Sequence, residues 1–271
     1  MSYQSLGHLP RAPLVYSLAM VEYAKVPEMS DYANVIMKSL RHIYPDINEY
    51  TISTLNVNID SVSGLGKSER VDIQQWRMTD LDGHFGVIFG QDRVIFHTTK
   101  YQHFEDFSNK FSFVCSTLFE AANIQYYQKI GIRHIDNILP IDDFSLADLV
   151  KSEYVCPNND KSLRPIFSRV EHIYLTPIGQ LNIKAFQLTN QPKVPNDLFP
   201  IAEQLSNKNG LLDLVEKSFI LADTDHIFIA DKLLDADIND IVSKLNQLHE
   251  QCSMGFRSMV TREAFDAWNQ E

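Results

Sequence analysis

Val87-Ile88-Phe89-Gly90-Gln91-Asp92-Arg93-Val94-Ile95-Phe96 is the stretch on which the fold turns. Two apolar, β-prone runs flank the polar tip Gln91-Asp92, the pattern of a tight β-hairpin. Next, Phe104, Phe107, Phe111, Val114 and Leu118 recur at helical spacing and predict a long amphipathic helix. A similar stretch occurs late in the chain. Phe219 to Leu221 and Ile227 to Ile229 flank Asp223-Thr224-Asp225, read as a second hairpin tip. Ile238, Ile241, Val242, Leu245 and Leu248 then predict a second long helix.

The predicted fold class is therefore α+β, with antiparallel sheets packed by long amphipathic helices on one face. The recurrence admits two related halves, 1–140 and 141–271, tightly associated; it equally admits chance repetition of a common unit. If the halves are related, their junction is the natural concave site. The polar run Asp143 to Lys161, holding Cys156-Pro157-Asn158-Asn159-Asp160, is the expected connection, with a short helix at Leu146 to Leu149.

The remaining elements follow from the same periodicities. Pro13 to Tyr23, Tyr50 to Val57, Val71 to Met78 and Ile130 to Ile135 read as strands, and Ile36, Leu40 and Ile43 mark a helix that Pro45 stops. Ser61 to Arg70 reads as a polar loop and Asp82-Gly83 as a tight turn. Ile166 to Leu175 and Leu181 to Leu188 read as strands joined by the turn Thr176-Pro177-Ile178-Gly179. Gln191 to Pro200, with three prolines, reads as a loop.

The 271 residues carry 24 Lys+Arg against 35 Asp+Glu, a formal net charge of −11. That balance disfavours nucleic acid and anionic membrane as partners, since both repel negative charge. No stretch approaches the ~18 apolar residues that cross a bilayer, and the N-terminal residues lack a secretory pattern. Cys115, Cys156 and Cys252 are too few and too widely spaced for a disulfide framework or zinc knuckle. A cytoplasmic location is expected.

Motifs for chemistry are sparse. Ser63-Gly64-Leu65-Gly66-Lys67-Ser68 ends like a phosphate loop, but Ser61 stands where the first glycine belongs and a strand follows where a helix is needed. Serine-nucleophile, kinase, dinucleotide and deaminase signatures are missing, so no cofactor is expected. The nine histidines show no metal spacing, and a site from His97, His134, Asp136 and His172 is disfavoured; no metal is expected. Phe96-His97-Thr98-Thr99-Lys100-Tyr101 lies between a strand and a helix. There Thr98 or Thr99 would cap the helix; the alternative reading makes His97, Thr98, Thr99, Tyr101 and Glu105 the lining of a ligand site. In Gly131-Ile132-Arg133-His134-Ile135-Asp136, alternation puts His134 and Asp136 on one face. Arg133 points to the other, where Glu105 or Glu171 would pair with it. Trp76 and Trp268 read as packing residues.

These segments also carry a resemblance. Ala12-Pro13-Leu14-Val15-Tyr16, Trp76 with Gly86-Val87-Ile88-Phe89, His97 to Tyr101 with Phe104-Glu105, Gly131 to Asp136, and Leu248-His249 with Phe256 and Val260-Thr261 resemble a sporadically distributed bacterial family of roughly this length, of unestablished function. The resemblance implies a bacterial cytoplasmic protein, one integrated unit, and an accessory gene of the defence or toxin-associated kind. It implies no reaction and no catalytic residue. His134 stands where such proteins more commonly carry an aromatic residue, which weakens its reading as an essential base.

The leading expectation is an accessory interaction protein that recognises a protein partner, basic enough to complement the acidic chain, or a second copy as a homodimer. The alternative is a small-molecule or nucleotide-processing enzyme, with Arg133 holding an anion and His97, Glu105 or Asp136 moving protons. That alternative requires His97, Arg133 and Asp136 to converge.

Overall fold

The computed structural model describes residues 9–59, 66–157, 162–163 and 165–270. In chain order the elements are β1 (Leu14–Tyr23), α1 (Met29–Leu40), β2 (Asp46–Ile59), β3 (Gly66–Thr79), β4 (Phe85–Phe89), β5 (Arg93–Thr98), α2 (Phe104–Ala121) and β6 (Tyr126–Ile138). Then come α3 (Leu146–Leu149), β7 (Phe167–Thr176), β8 (Gly179–Leu188), β9 (Gln191–Pro192), α4 (Phe199–Asn209), β10 (Leu214–Val215), β11 (Phe219–Asp235), α5 (Ile238–Met259) and α6 (Arg262–Trp268).

Among the described residues, the fold is a mixed α/β structure built on one antiparallel nine-stranded sheet, in the order β2-β3-β4-β5-β1-β6-β11-β8-β7. β1 and β6 pair at its centre, Ala19 opposite Ile132 and Ser17 opposite His134. Outward from β1 come β5, β4, β3 and β2; outward from β6 come β11, β8 and β7. A separate ribbon pairs β9 with β10.

Helices cover both faces, not one. α2 buries Phe107, Phe111, Val114 and Leu118, and α5 buries Ile241, Leu245, Leu248 and Cys252, against the same side of the sheet. α1 and α6 join that layer, which holds the larger core. On the other side, α4 brings Ala202 and Leu205 onto Tyr16, Ile135, Phe219 and Leu221. Central strands are therefore buried on both sides, and β6 is buried without a break from Ile130 to Ile138. Alternation survives there as a choice of face, not as inside versus outside.

Two expected loops are strands. The turn expected at Asp223-Thr224-Asp225 does not exist; β11 runs through it, pairing Asp223 with Ile135 on one side and Lys184 on the other. The cations of neighbouring strands, Arg133 and Lys184, make these carboxylates tolerable inside the sheet. Of the loop expected at Ser61 to Arg70, residues 61–65 lie outside the described residues, and β3 already begins at Gly66. Gly66-Lys67-Ser68 thus opens a strand and not the helix that a phosphate loop requires. Most of Cys156 to Asp160 also lies outside the described residues. Among those described, no helix is long and apolar enough to cross a membrane.

Candidate functional site

The sheet divides the expected site residues between its two faces. On β6, His134 and Asp136 point toward α5, and Arg133 points toward α4. On β5, His97 shares the face of Arg133. His97, Arg133 and Asp136 therefore do not converge, and neither do His97, His134, Asp136 and His172. His172 packs near Tyr154 and Tyr174 toward the β7 edge of the sheet.

On the α4 face Arg133 and His97 are each held by neighbouring polar groups. Arg133 donates from Nε and a terminal nitrogen to both oxygens of Asp223, each at 2.8 Å, and from its other terminal nitrogen to Asp197 at 2.6 Å. Burial alone would depress this guanidinium, but hydrogen bonds and charge from Asp223 and Asp197 push it up instead. The expected partners Glu105 and Glu171 play no part, and two carboxylates occupy the fork that would have held an anion. His97 is fixed equally firmly. The amide nitrogen of Gln204 donates to Met78 O and Thr79 Oγ1, so its oxygen accepts from His97 Nε2 at 3.1 Å. His97 Nδ1 is then the acceptor for the Tyr16 hydroxyl at 2.8 Å. Burial lowers His97 to about 4, which keeps it neutral.

The residues after β5 are mostly structural. Thr98 Oγ1 accepts from the backbone of Lys100, and Thr99 Oγ1 bonds the His84 ring at 2.9 Å. Neither caps α2, whose N-cap position is His103, with no side-chain cap hydrogen bond. Glu105 is exposed on the first turn of α2, where a carboxylate suits the helix dipole.

Tyr101 and Asp136 are brought together, on the α5 face. They line a cavity of about 120 Å³ with His134, Thr224, His249 and Phe256. Ser17 Oγ lies 2.8 Å from His134 Nδ1, and His134 Nε2 lies 3.3 Å from His249 Nδ1. Phe104 stacks flat on His249 at 4.1 Å between ring centres, and the Tyr101 ring meets His134 at a steep angle. Burial, then the neighbouring His249, holds His134 well below the usual imidazole range. Burial and Arg257 bring His249 to about 4. A neutral imidazole donates from one nitrogen and accepts at the other, so Ser17, His134 and His249 form a directional relay.

Asp136 is 5% exposed, and burial pushes its carboxyl up to about 8. Among the described residues, no side-chain hydrogen bond reaches it.

The chain matches no known protein family, no curated protein and no solved structure.

Sequence reasoning missed His249, Ser17 and Thr224 as members of this cluster. The spacing of Leu245, Leu248 and Cys252 places His249 beside the buried stripe of α5 and was the signal available. Ser17 and Thr224 are set by strand register alone. Among the described residues, no group of three or more His, Cys, Asp or Glu side chains is placed to hold a metal ion. Trp76 stacks on Phe89 and Trp268 packs with Phe256 and Phe265, both as packing residues.

Proposed function

We propose that this chain is an accessory interaction protein of a bacterial defence or toxin-associated system, and that it binds an extended segment of a basic protein partner at the β7 edge of its sheet. One observation carries the reading. β7 pairs only with β8 among the described residues, so its outer backbone groups form an open edge, and that edge adjoins an apolar groove of about 570 Å³ lined by Ile166, Phe167, Phe186, Leu188, Val194 and Leu221. Along it Phe167, Ile173 and Leu175 are exposed, Leu175 by 92%. Soluble chains ordinarily blunt such edges, and strand addition into one gives affinity through the backbone and specificity through alternate side-chain pockets. The net charge of −11 favours a cationic partner. A site built from His97, Arg133 and Asp136 together lacks support, because Asp136 lies on the face of the sheet opposite His97 and Arg133.

Two related halves remain part of this proposal. The support is the matching order on each side of the β1–β6 pair, where β5 leads to α2 and β11 to α5, and those two helices pack together.

The test is purification from the native host followed by disruption of the edge. A stoichiometric basic partner should co-purify, protect β7 amides from hydrogen exchange, and dissociate when Ile173→Lys and Phe167→Asp are introduced. A complex indifferent to both changes, or a chain that purifies alone, overturns the reading.

A second reading, a homodimer through the same edge, is favoured by the placement of Arg169 and Glu171 on either side of Val170. Two copies pairing antiparallel about Val170 would set each Arg169 against a Glu171. Reversing either charge alone should then abolish a concentration-dependent dimer, and exchanging both should restore it. A monomer at all concentrations sinks that reading and leaves the first standing.

A further inference from the structure

We propose that the cavity between β6 and α5 is a binding site for a small organic ammonium ion, with the Asp136 carboxylate as its counter-ion. The proposal goes beyond the partner-binding reading and uses the opposite face of the sheet from the groove.

One buried hydroxyl and one carboxyl face this cavity without a side-chain partner in it. The Thr224 hydroxyl, 1% exposed, has no hydrogen-bond partner. The Asp136 carboxyl, 5% exposed, opens onto the same cavity and receives no side-chain hydrogen bond among the described residues. Buried polar groups are nearly always satisfied, so an orphan hydroxyl beside an open carboxyl marks a position where something else bonds them. The chemistry of that space selects the ligand. An ionised Asp136 would repel an anion, and its neutral acid form offers an anion no positive charge. His134 and His249 are neutral and already joined to each other, so they supply no positive charge. The remaining titratable groups nearby, Tyr101 and Cys252, are held in their neutral forms by burial, and Arg257 acts on His249. What the cavity lacks is a cation.

The walls suit an organic cation better than a metal ion. Tyr101 and Phe256 offer aromatic rings, which attract ammonium groups, and too few ligating side chains gather for a metal. A volume of about 120 Å³ holds roughly four waters at ~30 Å³ each, or one ethylammonium-sized ion in their place. An ammonium N–H would donate to Asp136 and another to the Thr224 oxygen. Charge balance follows directly: the neutral carboxylic acid gives its proton to solvent as the cation arrives, and a carboxylate–ammonium pair remains.

The experiment is calorimetric titration of the intact protein with ethylammonium chloride at pH 7, in two buffers of different ionisation enthalpy. Saturable 1:1 binding with release of close to one proton per cation is expected, and release should fade above pH 8. Asp136→Asn should weaken binding at least tenfold and abolish proton release; Thr224→Val should weaken binding less and keep the release. No saturable binding, or binding to wild type without proton release, overturns the proposal whether or not either variant folds. Disruption of the β7 edge should leave this titration unchanged, so the two readings fail separately.

Discussion

Arg133 and Asp223, from neighbouring strands, meet in a two-pronged hydrogen bond of 2.8 Å on each side at a position where the carboxylate has no solvent exposure. Removing one partner strands the other charge inside the sheet, which typically costs ~3–5 kcal/mol. Arg133→Met and Asp223→Leu should each lower urea-unfolding stability by that order. The double change Arg133→Met with Asp223→Leu should be milder than the sum, because it removes both charges together. Additive losses in that cycle would show that the pair is not coupled.

The buried histidines and Asp136 act on stability in opposite directions along the pH axis. His97 and His249 stay neutral down to about 4 when folded, whereas the unfolded chain protonates them near 6.5. Their contribution is therefore present above pH 6.5 and is lost on acidification toward 4, by up to about 3 kcal/mol each. Asp136 holds its proton up to about 8 when folded and releases it near 4 when unfolded. Stability falls as pH rises through that interval, by about 1.4 kcal/mol per unit. Urea melts from pH 4 to 9 should show a maximum near pH 6.5, and Asp136→Asn should remove the decline on the alkaline side. An unchanged alkaline limb in the variant would refute the assignment.

Two glycines are held by contact. A Cβ at Gly86 would sit 2.2 Å from His97 Nε2, the nitrogen bonded to Gln204. A Cβ at Gly179 would sit 2.0 Å from the Ile227 carbonyl oxygen, which is backbone. Gly86→Ala should destabilise by ~1–3 kcal/mol as the imidazole is displaced. Gly179→Ala should do more, because a sheet strand must shift and not a ring. Thermal melts of the two variants give the ranking, and the reverse order would contradict it.

Thiol reactivity offers an independent check of the helical layer. Cys115 on α2 and Cys252 on α5 are buried, and burial pushes both thiols up; Cys156 is half-buried. An aromatic disulfide reagent should titrate one thiol rapidly in the native protein and three in denaturant. Fast labelling of Cys252 would mean that α5 opens readily from β6 and β11.

How far the sequence carried can be judged element by element. The β4–β5 hairpin, α2 and the β7–β8 turn were legible, because each signal lies within a few consecutive residues. β11 was not. Asp223 and Asp225 look like turn residues until Arg133 and Lys184 arrive from strands remote in the chain, and no local rule contains that information. α4 was missed behind the prolines of Gln191 to Pro200, although a proline in the first helical turn is common. For the site, alternation placed Asp136 and Arg133 on opposite faces correctly. The error was to gather Arg133 and Asp136 into one site against that same alternation; that His97 falls on the face of Arg133 is fixed only once β1 lies between β5 and β6.

That intervening strand has a consequence for how the molecule is made. β1 leaves the ribosome before both of its neighbours, β5 and β6, which come after long intervening stretches of chain. At ~5–20 residues per second on the ribosome, an apolar strand waits for seconds before its first partner exists. Pairings so distant along the chain also slow folding in free solution. The nascent protein is thus most exposed to aggregation before Arg93–Thr98 has emerged, and a chaperone acting on it would find Leu14–Tyr23 its first client.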